Sequence, residues 1–256
     1  MVLVTVDQVQ GSGPREAGAW MAVGAHQVIN TIGGGHLEFQ AIELARQRLA
    51  QADALAPAQN LRFALGPSLG QCCGGVVHLK FQTIDAQHPA LISLCSQPGQ
   101  SLALFGGGHV GRAIVDVLAR LPYDLRWIDS RDGIFPTDLP QDIQTEHSDP
   151  VQDAVADLAP GSAVLIMSFS HAEDLDVVAA CLKRLRSKND LSYVGLIGSA
   201  TKWATFQHRL QERGFSSAEL GQITCPIGIP GIEGKEPEVI AIAVAAQLLM
   251  RTQAST

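Results

Sequence analysis

The sequence predicts an α/β protein in which an N-terminal α+β domain is followed by a doubly wound parallel sheet. Three observations predict it. Apolar residues alternate with period two in the first hundred residues, strands and helices alternate from residue 101 onward, and a G-x-G-x-x-G run falls at the first strand-to-helix turn of that second part. The expected domains are residues 1–96 and 97–256.

Taken in order, "VLVTVDQVQ" opens the chain as a strand, and "WMAVGAHQVINTIG" is a hairpin turning at "GAHQ". In "GHLEFQAIELARQRLAQAD", Leu37, Ala41, Leu44 and Leu49 fall on one face, which predicts a surface helix packed on the sheet. Val77, Leu79 and Phe81 alternate with His78, Lys80 and Gln82, so "VVHLKFQ" is a half-buried strand with His78 facing solvent. Residues 85–100 mix Pro, Gly, Ser and Gln and mark the boundary. Beyond it, "SLALF" is a strand and "GGGHVGRAIVDVLARL" a glycine turn entering a helix, while "LRWID", "SAVLIMS" and "SYVGLIG" are later strands. Ser170 to Glu173 has the pattern of a capping box. Asp149 and Pro150 fit an N-cap with proline at the first helical position.

With 256 residues, 46% of them hydrophobic and 17% charged, the chain can bury a core in each of two domains. A formal charge of −7 without any run of basic residues argues against a nucleic-acid partner. No apolar run reaches the ~18 residues of a membrane span, and the N-terminus lacks the pattern of a secretion signal, so a cytoplasmic protein is expected. Its five cysteines, an odd number thinly spread, are then expected as thiols.

Gly106, Gly108 and Gly111 follow a strand and open a helix, and Asp129 ends the next strand about twenty residues on, as in a Rossmann-like dinucleotide site. There the helix N-terminus offers N–H donors to a phosphate and Asp129 accepts from a ribose hydroxyl. The same glycines would also serve merely to pack helix on strand. Gly198, Ser199 and the segment Ser168 to His171 end later strands and converge on the same edge, either on a ligand or as helix caps, and Lys202 adds charge. The first domain carries three glycine-rich turns, "QGSGPREAG", "TIGGGHLE" and "GQCCGG", with Arg15, Glu16, His36 and Glu38 in or beside them. Adjacent Cys72 and Cys73 lack the spacing of a structural zinc site. They suit a soft metal or sulfur species as thiolate ligands, or one of them is buried as a small hydrophobe.

The succession "QGSGPREAGAWM", "TIGGGHLE", "LGQCCGG", "LALFGGGHVG", "WIDSR", "YVGLIGSATKWATF" and "CPIGIPGIEGKEPEVIAIAVAAQLL" resembles the XdhC/CoxI family along nearly the whole chain. The resemblance implies a chaperone, not an enzyme. It would bind the molybdenum cofactor (molybdopterin), protect it while a cysteine desulfurase supplies sulfur, and insert it into xanthine dehydrogenase. Cys72 and Cys73 would hold the metal, and the glycine loop would take the pterin phosphate, NAD(P) or another nucleotide. "CPIGIPGIEGKE" would cover the crevice, the C-terminal helix would pack back on the first domain, and a homodimer is compatible with the pattern. Two departures stand out: the chain starts at the strand beginning with Val2, which suggests a shortened N-terminus, and Phe169 stands where a polar residue is expected. An NAD(P)-dependent oxidoreductase and an assembly factor acting only by protein contact are the competing readings.

Overall fold

The computed structural model describes residues 1–51, 57–66, 74–85, 87–95, 99–140 and 143–254, so Cys72 and Cys73 lie outside the described residues. The chain divides into two compact units, Met1–Gln97 and Pro98–Thr256.

The first unit is an antiparallel sheet of β1 (Val2–Gln10), β2 (Trp20–Val23), β3 (Val28–Asn30), β4 (Gln59–Ala64) and β5 (Val76–Thr83). The order is β3-β2-β1-β5-β4, and the β2–β3 hairpin closes with Gly24 N–H donating to the Gln27 carbonyl at 2.8 Å. Val4 pairs with Phe81 and Val6 with Leu79, so the period-two sets of β1 and β5 share one face. Helix α1 (Gly35–Ala50) covers that face with Leu37, Ala41 and Ala45. Leu44 and Leu49, expected on the same stripe, are partly buried at its margin. Each fully buried Leu, Val or Phe in this layer contributes roughly 1.5–3 kcal/mol. The boundary stretch hides a helix, α2 (Pro89–Cys95), whose Leu91 packs with Leu3, Ala22 and Ile84 on the opposite face.

The second unit contains β6 (Gln100–Phe105), α3 (His109–Leu118), β7 (Tyr123–Asp129), β8 (Gln144–His147), β9 (Ala163–Ile166), α4 (His171–Lys188), β10 (Tyr193–Leu196), α5 (Ala200–Glu212), α6 (Ser217–Leu220), β11 (Ile223–Thr224) and α7 (Pro237–Ala254). Its sheet runs β11-β10-β9-β6-β7-β8 with every pair parallel. Numbered within the unit this is the Rossmann order, with the switch point between β6 and β9. The expectation of an α+β domain followed by a doubly wound parallel sheet is met. Both faces are covered, as a parallel sheet requires. Ala103, Phe105, Val164 and Ile166 face α4 and α5, while Leu102, Leu104, Leu165 and Trp127 face α3 and α7.

Two local expectations change. The helix foreseen after Asp149 and Pro150 is a 3-10 helix (Val151–Asp157) whose N-cap is Pro150, so Asp149 does not cap it. Its far end is held by buried Arg184, which donates to the carbonyls of Val155 and Leu158 and pairs with Asp190. At the start of α4 only half of the capping box forms: Glu173 N–H donates to Ser170 Oγ, but the Glu173 carboxylate turns to the Phe169 N–H. Helix α7 buries Ala241, Val244, Ala245 and Leu248 beside α3 within the second unit.

Candidate functional site

At the carboxyl edge of the second sheet, two of the three fingerprint glycines are fixed by packing. Gly106 has φ +129°, and a Cβ there would run into the Met167 carbonyl, 2.6 Å from its carbon. A Cβ on Gly111 would press on the Gly106 carbonyl, whose oxygen accepts from Trp127 Nε1 at 2.9 Å. Gly108 differs: nothing lies within 4 Å of its Cβ position, and as the N-cap of α3 it receives no side-chain cap. No side chain therefore caps the first turn of α3.

Asp129 faces inward. Its side chain is fully buried; Oδ2 accepts from Gly107 N–H at 2.6 Å and Oδ1 from Arg131 N–H at 2.8 Å. The Arg131 guanidinium closes a two-point fork through Nε and Nη2, both at 2.9 Å. Burial alone would raise this carboxyl, but the bonds from Arg131 and from the Gly107 and Arg131 amides hold it below the ordinary range. Asp129 therefore ties the glycine loop to Arg131, and every hydrogen bond it makes is to the protein. The Arg131 guanidinium lies 4.5 Å from the ring centroid of Phe169, which is 64% exposed. Glu173 steadies both sides, accepting from Ser130 Oγ and from Phe169 N–H.

Farther along the same edge, Ser168 N–H donates to Asp174 Oδ1 at 2.7 Å, while the Ser168 hydroxyl oxygen is buried without a hydrogen-bond partner. Asp174 Oδ2 takes Lys202 Nζ at 2.6 Å, and the same ammonium reaches the Ile197 carbonyl. Ser199 caps α5 by accepting from Lys202 N–H, and a Cβ on Gly198 would meet Lys202 and the Cys225 sulfur. Burial pushes the Cys225 thiol up to about 11 despite the nearby Lys202 ammonium, so it is protonated at neutral pH. The structure thus brings Gly106, Gly108, Gly111 and Asp129 together on one side of the switch point, and joins Gly198 and Ser199 to Ser168 through Lys202 and Asp174. Sequence reasoning missed Arg131, Asp174 and Cys225. Only Arg131 left a signal, a cation two residues after the fingerprint acid.

In the first unit the glycine turns meet. Gly33 lies against Pro14 and Arg15, Gly11 against Gly75, and Gly75 against Gln10 and Ser12. Glu38, in the first turn of α1, reaches back to accept from Thr31 Oγ1 at 2.5 Å and from the N–H groups of Ile32 and Gly34 at 3.0 Å. Burial raises this carboxyl, but those bonds more than offset it and hold it below its ordinary range. His36 is exposed and bonded to Gln40. An open cavity of about 870 Å³ lies along the first turn, bordered by Gly11, Gly13, Arg15, Glu16, Trp20 and Asn30. Leu65 N–H donates to the Gly75 carbonyl, bracketing the segment that carries Cys72 and Cys73. Among the described residues no group of three His, Cys, Asp or Glu side chains gathers to hold a metal, and no helix is long and apolar enough to cross a membrane.

Comparison with known proteins agrees with this architecture. The crystal structure of a protein from Bacillus halodurans, described as a xanthine dehydrogenase, superposes with a TM-score of 0.80 over 100% of this chain and 92% of its own, at 18% identity, and so shares the fold. The uncharacterized protein YqeB of Escherichia coli strain K12 is 26% identical over 243 residues, 94% of this chain. The chain spans 41% of the length of YqeB. The XdhC Rossmann domain model matches residues 102–248, the whole open glycine loop included, and the model of the XdhC and CoxI family matches residues 1–56, where the first two glycine turns lie. With more than half of its length matched by a single family model, the chain belongs to the XdhC/CoxI family.

Proposed function

We propose that the chain is a cytoplasmic accessory protein, not a catalyst, that takes the molybdenum cofactor as cargo, keeps it while a cysteine desulfurase supplies sulfur, and releases it to xanthine dehydrogenase. The observation that carries this reading is the meeting of the glycine turns in the first unit, with Gly75, two residues along the chain from Cys73, packed on Ser12 and Gln10. Turns built this tightly from backbone leave an open, polar cavity of about 870 Å³ beside Arg15 and Glu16 rather than a sealed apolar pocket. Such a site suits a cargo that is held and then released.

The donor set fits that cargo. Cys72 and Cys73 supply soft thiolates for the metal end. Separately, the uncapped amides at Gly108 of the second unit suit a nucleotide phosphate. The bound centre supplies redox chemistry only in the recipient enzyme; this chain's own groups bind, shield and let go. A micromolar hold, about 8 kcal/mol, is compatible with both protection and release. Membership of the XdhC/CoxI family supports the accessory role, and the Bacillus halodurans protein that shares this fold is described as a xanthine dehydrogenase.

The test is anaerobic loading with cofactor, gel filtration and quantification of pterin and metal, followed by activation of apo-xanthine dehydrogenase. Loaded wild type is expected to exceed free cofactor, and Cys72→Ala and Cys73→Ala to retain less cofactor than Cys95→Ala. Activation no better than with free cofactor overturns the reading, and hydride transfer from a nicotinamide would replace it with the oxidoreductase one.

A further inference from the structure

We propose that Arg131 and Phe169 form a stacking platform for the planar base of a nucleotide, so that the second unit binds a nucleoside diphosphate group rather than an isolated phosphate. This rests on reading the open loop at Gly108 as the phosphate site.

The guanidinium plane is fixed before any ligand arrives. Two of its N–H groups are committed to Asp129, and Asp129 in turn holds Gly107 N–H, so the platform stands two hydrogen bonds from the glycine loop. The backbone of its partner is held as well, Phe169 N–H donating to Glu173. An aromatic ring 64% exposed and a guanidinium 32% exposed lie together at the carboxyl edge of the sheet, the guanidinium carbon over the ring at 4.5 Å from its centroid. Rigid aromatic and guanidinium faces stack on nucleobases of any identity.

The local charge selects a base over a further phosphate. One positive charge, Arg131, is surrounded by the carboxylates of Asp129 and Glu173, and Asp129 has no oxygen free for a ribose diol. A neutral ring gains from the stack without meeting that excess of negative charge. Beside the platform, the buried Ser168 hydroxyl has no protein partner, an unmet hydrogen-bonding group that a ligand at this edge would satisfy.

Calorimetry on the full chain with two probes, inorganic pyrophosphate and ADP, tests this. Wild type is expected to bind ADP more tightly than pyrophosphate. Phe169→Ala is expected to weaken ADP roughly tenfold, the worth of one base stack, while Phe169→Trp restores it. Gly108→Val is expected to weaken both probes. Because Phe169 is exposed, its truncation leaves the fold intact, which an unchanged melting curve checks. If pyrophosphate binds but ADP binds no better, or Phe169→Ala loses nothing, the platform is overturned and the loop reading stands. Tighter binding of 2′-phosphorylated ADP than of ADP also overturns it, making Arg131 a phosphate anchor. If neither probe binds, the loop reading falls and the platform with it.

Discussion

Both units build their candidate sites from glycine, but the glycines do different work. In the first unit Gly75 and Gly33 press turn against turn, so each marks a place where two pieces of backbone touch. In the second unit Gly106 and Gly111 do the same between loop, strand and helix, whereas the space a Cβ on Gly108 would fill is open. Each unit also fastens its turn with one carboxylate, half-buried Glu38 in the first and buried Asp129 in the second. The contrast separates glycines required by packing from one that packing does not require.

That contrast can be broken in several ways. The largest effect is expected for Gly106→Ala, where a Cβ meets the Met167 carbonyl at φ +129°; strain and overpacking together should cost roughly 3 kcal/mol. Peptide-resolved hydrogen exchange should show the loss in residues 98–256 and leave residues 1–97 protected. Gly75→Ala, with its Cβ 2.7 Å from the Gln10 carbonyl oxygen, should cost about 2 kcal/mol and show the reverse distribution. If either substitution loosens both units alike, the turns are not local devices.

A smaller effect comes with acid. Glu38 and Asp129 are held ionised below the ordinary carboxyl range. Each therefore contributes fully above about pH 4, the unfolded value, and loses its contribution as pH falls through the lower folded value. Amide NMR signals followed from about pH 6 to about pH 3 should show Glu38→Gln flattening the acid response of the first unit while that of the second persists. An unchanged response in the first unit would mean that another group governs it. The smallest stability effect is expected for Gly108→Ala, within about 0.5 kcal/mol, because φ −74° suits any residue and the space is open. A urea midpoint indistinguishable from wild type, with weakened pyrophosphate binding, would mark this glycine as the one kept for a ligand.

Much of the fold was legible where burial imposes a period. Val77, Leu79 and Phe81 announced β5, and the glycine fingerprint announced the turn between β6 and α3. The edge strands were not legible, because β8 is "QTEH", mostly exposed, and β11 has two residues. Without a buried face on both sides there is no apolar run to read. Helix α2 was hidden by the Pro, Gly and Ser around it, and only Leu91 and its partners across the sheet explain it. At the site, the glycines and Asp129 could be found by spacing, yet the direction of the Asp129 carboxylate could not, since Arg131 captures it through a turn that no periodicity encodes. Lys202 and Asp174 meet across 28 residues of sequence. Phe169 read as a departure from pattern because an exposed ring has no packing rule to obey.

The loop after β11 is fastened by an uncharged side chain. Gln247 of α7 accepts from Gly228 N–H at 2.9 Å and from the Tyr193 hydroxyl at 2.8 Å, and its amide donates to the Gly228 carbonyl at 3.2 Å. A primary amide that both gives and takes with one residue imitates a neighbouring peptide group, so the loop is held as though a further strand lay beside it. Because no ion pair takes part, this attachment is indifferent to ionic strength, whereas the exposed pair of Arg213 and Asp176 weakens as salt rises. The loop after β11 should therefore keep its place across the range of salt over which such surface pairs come apart.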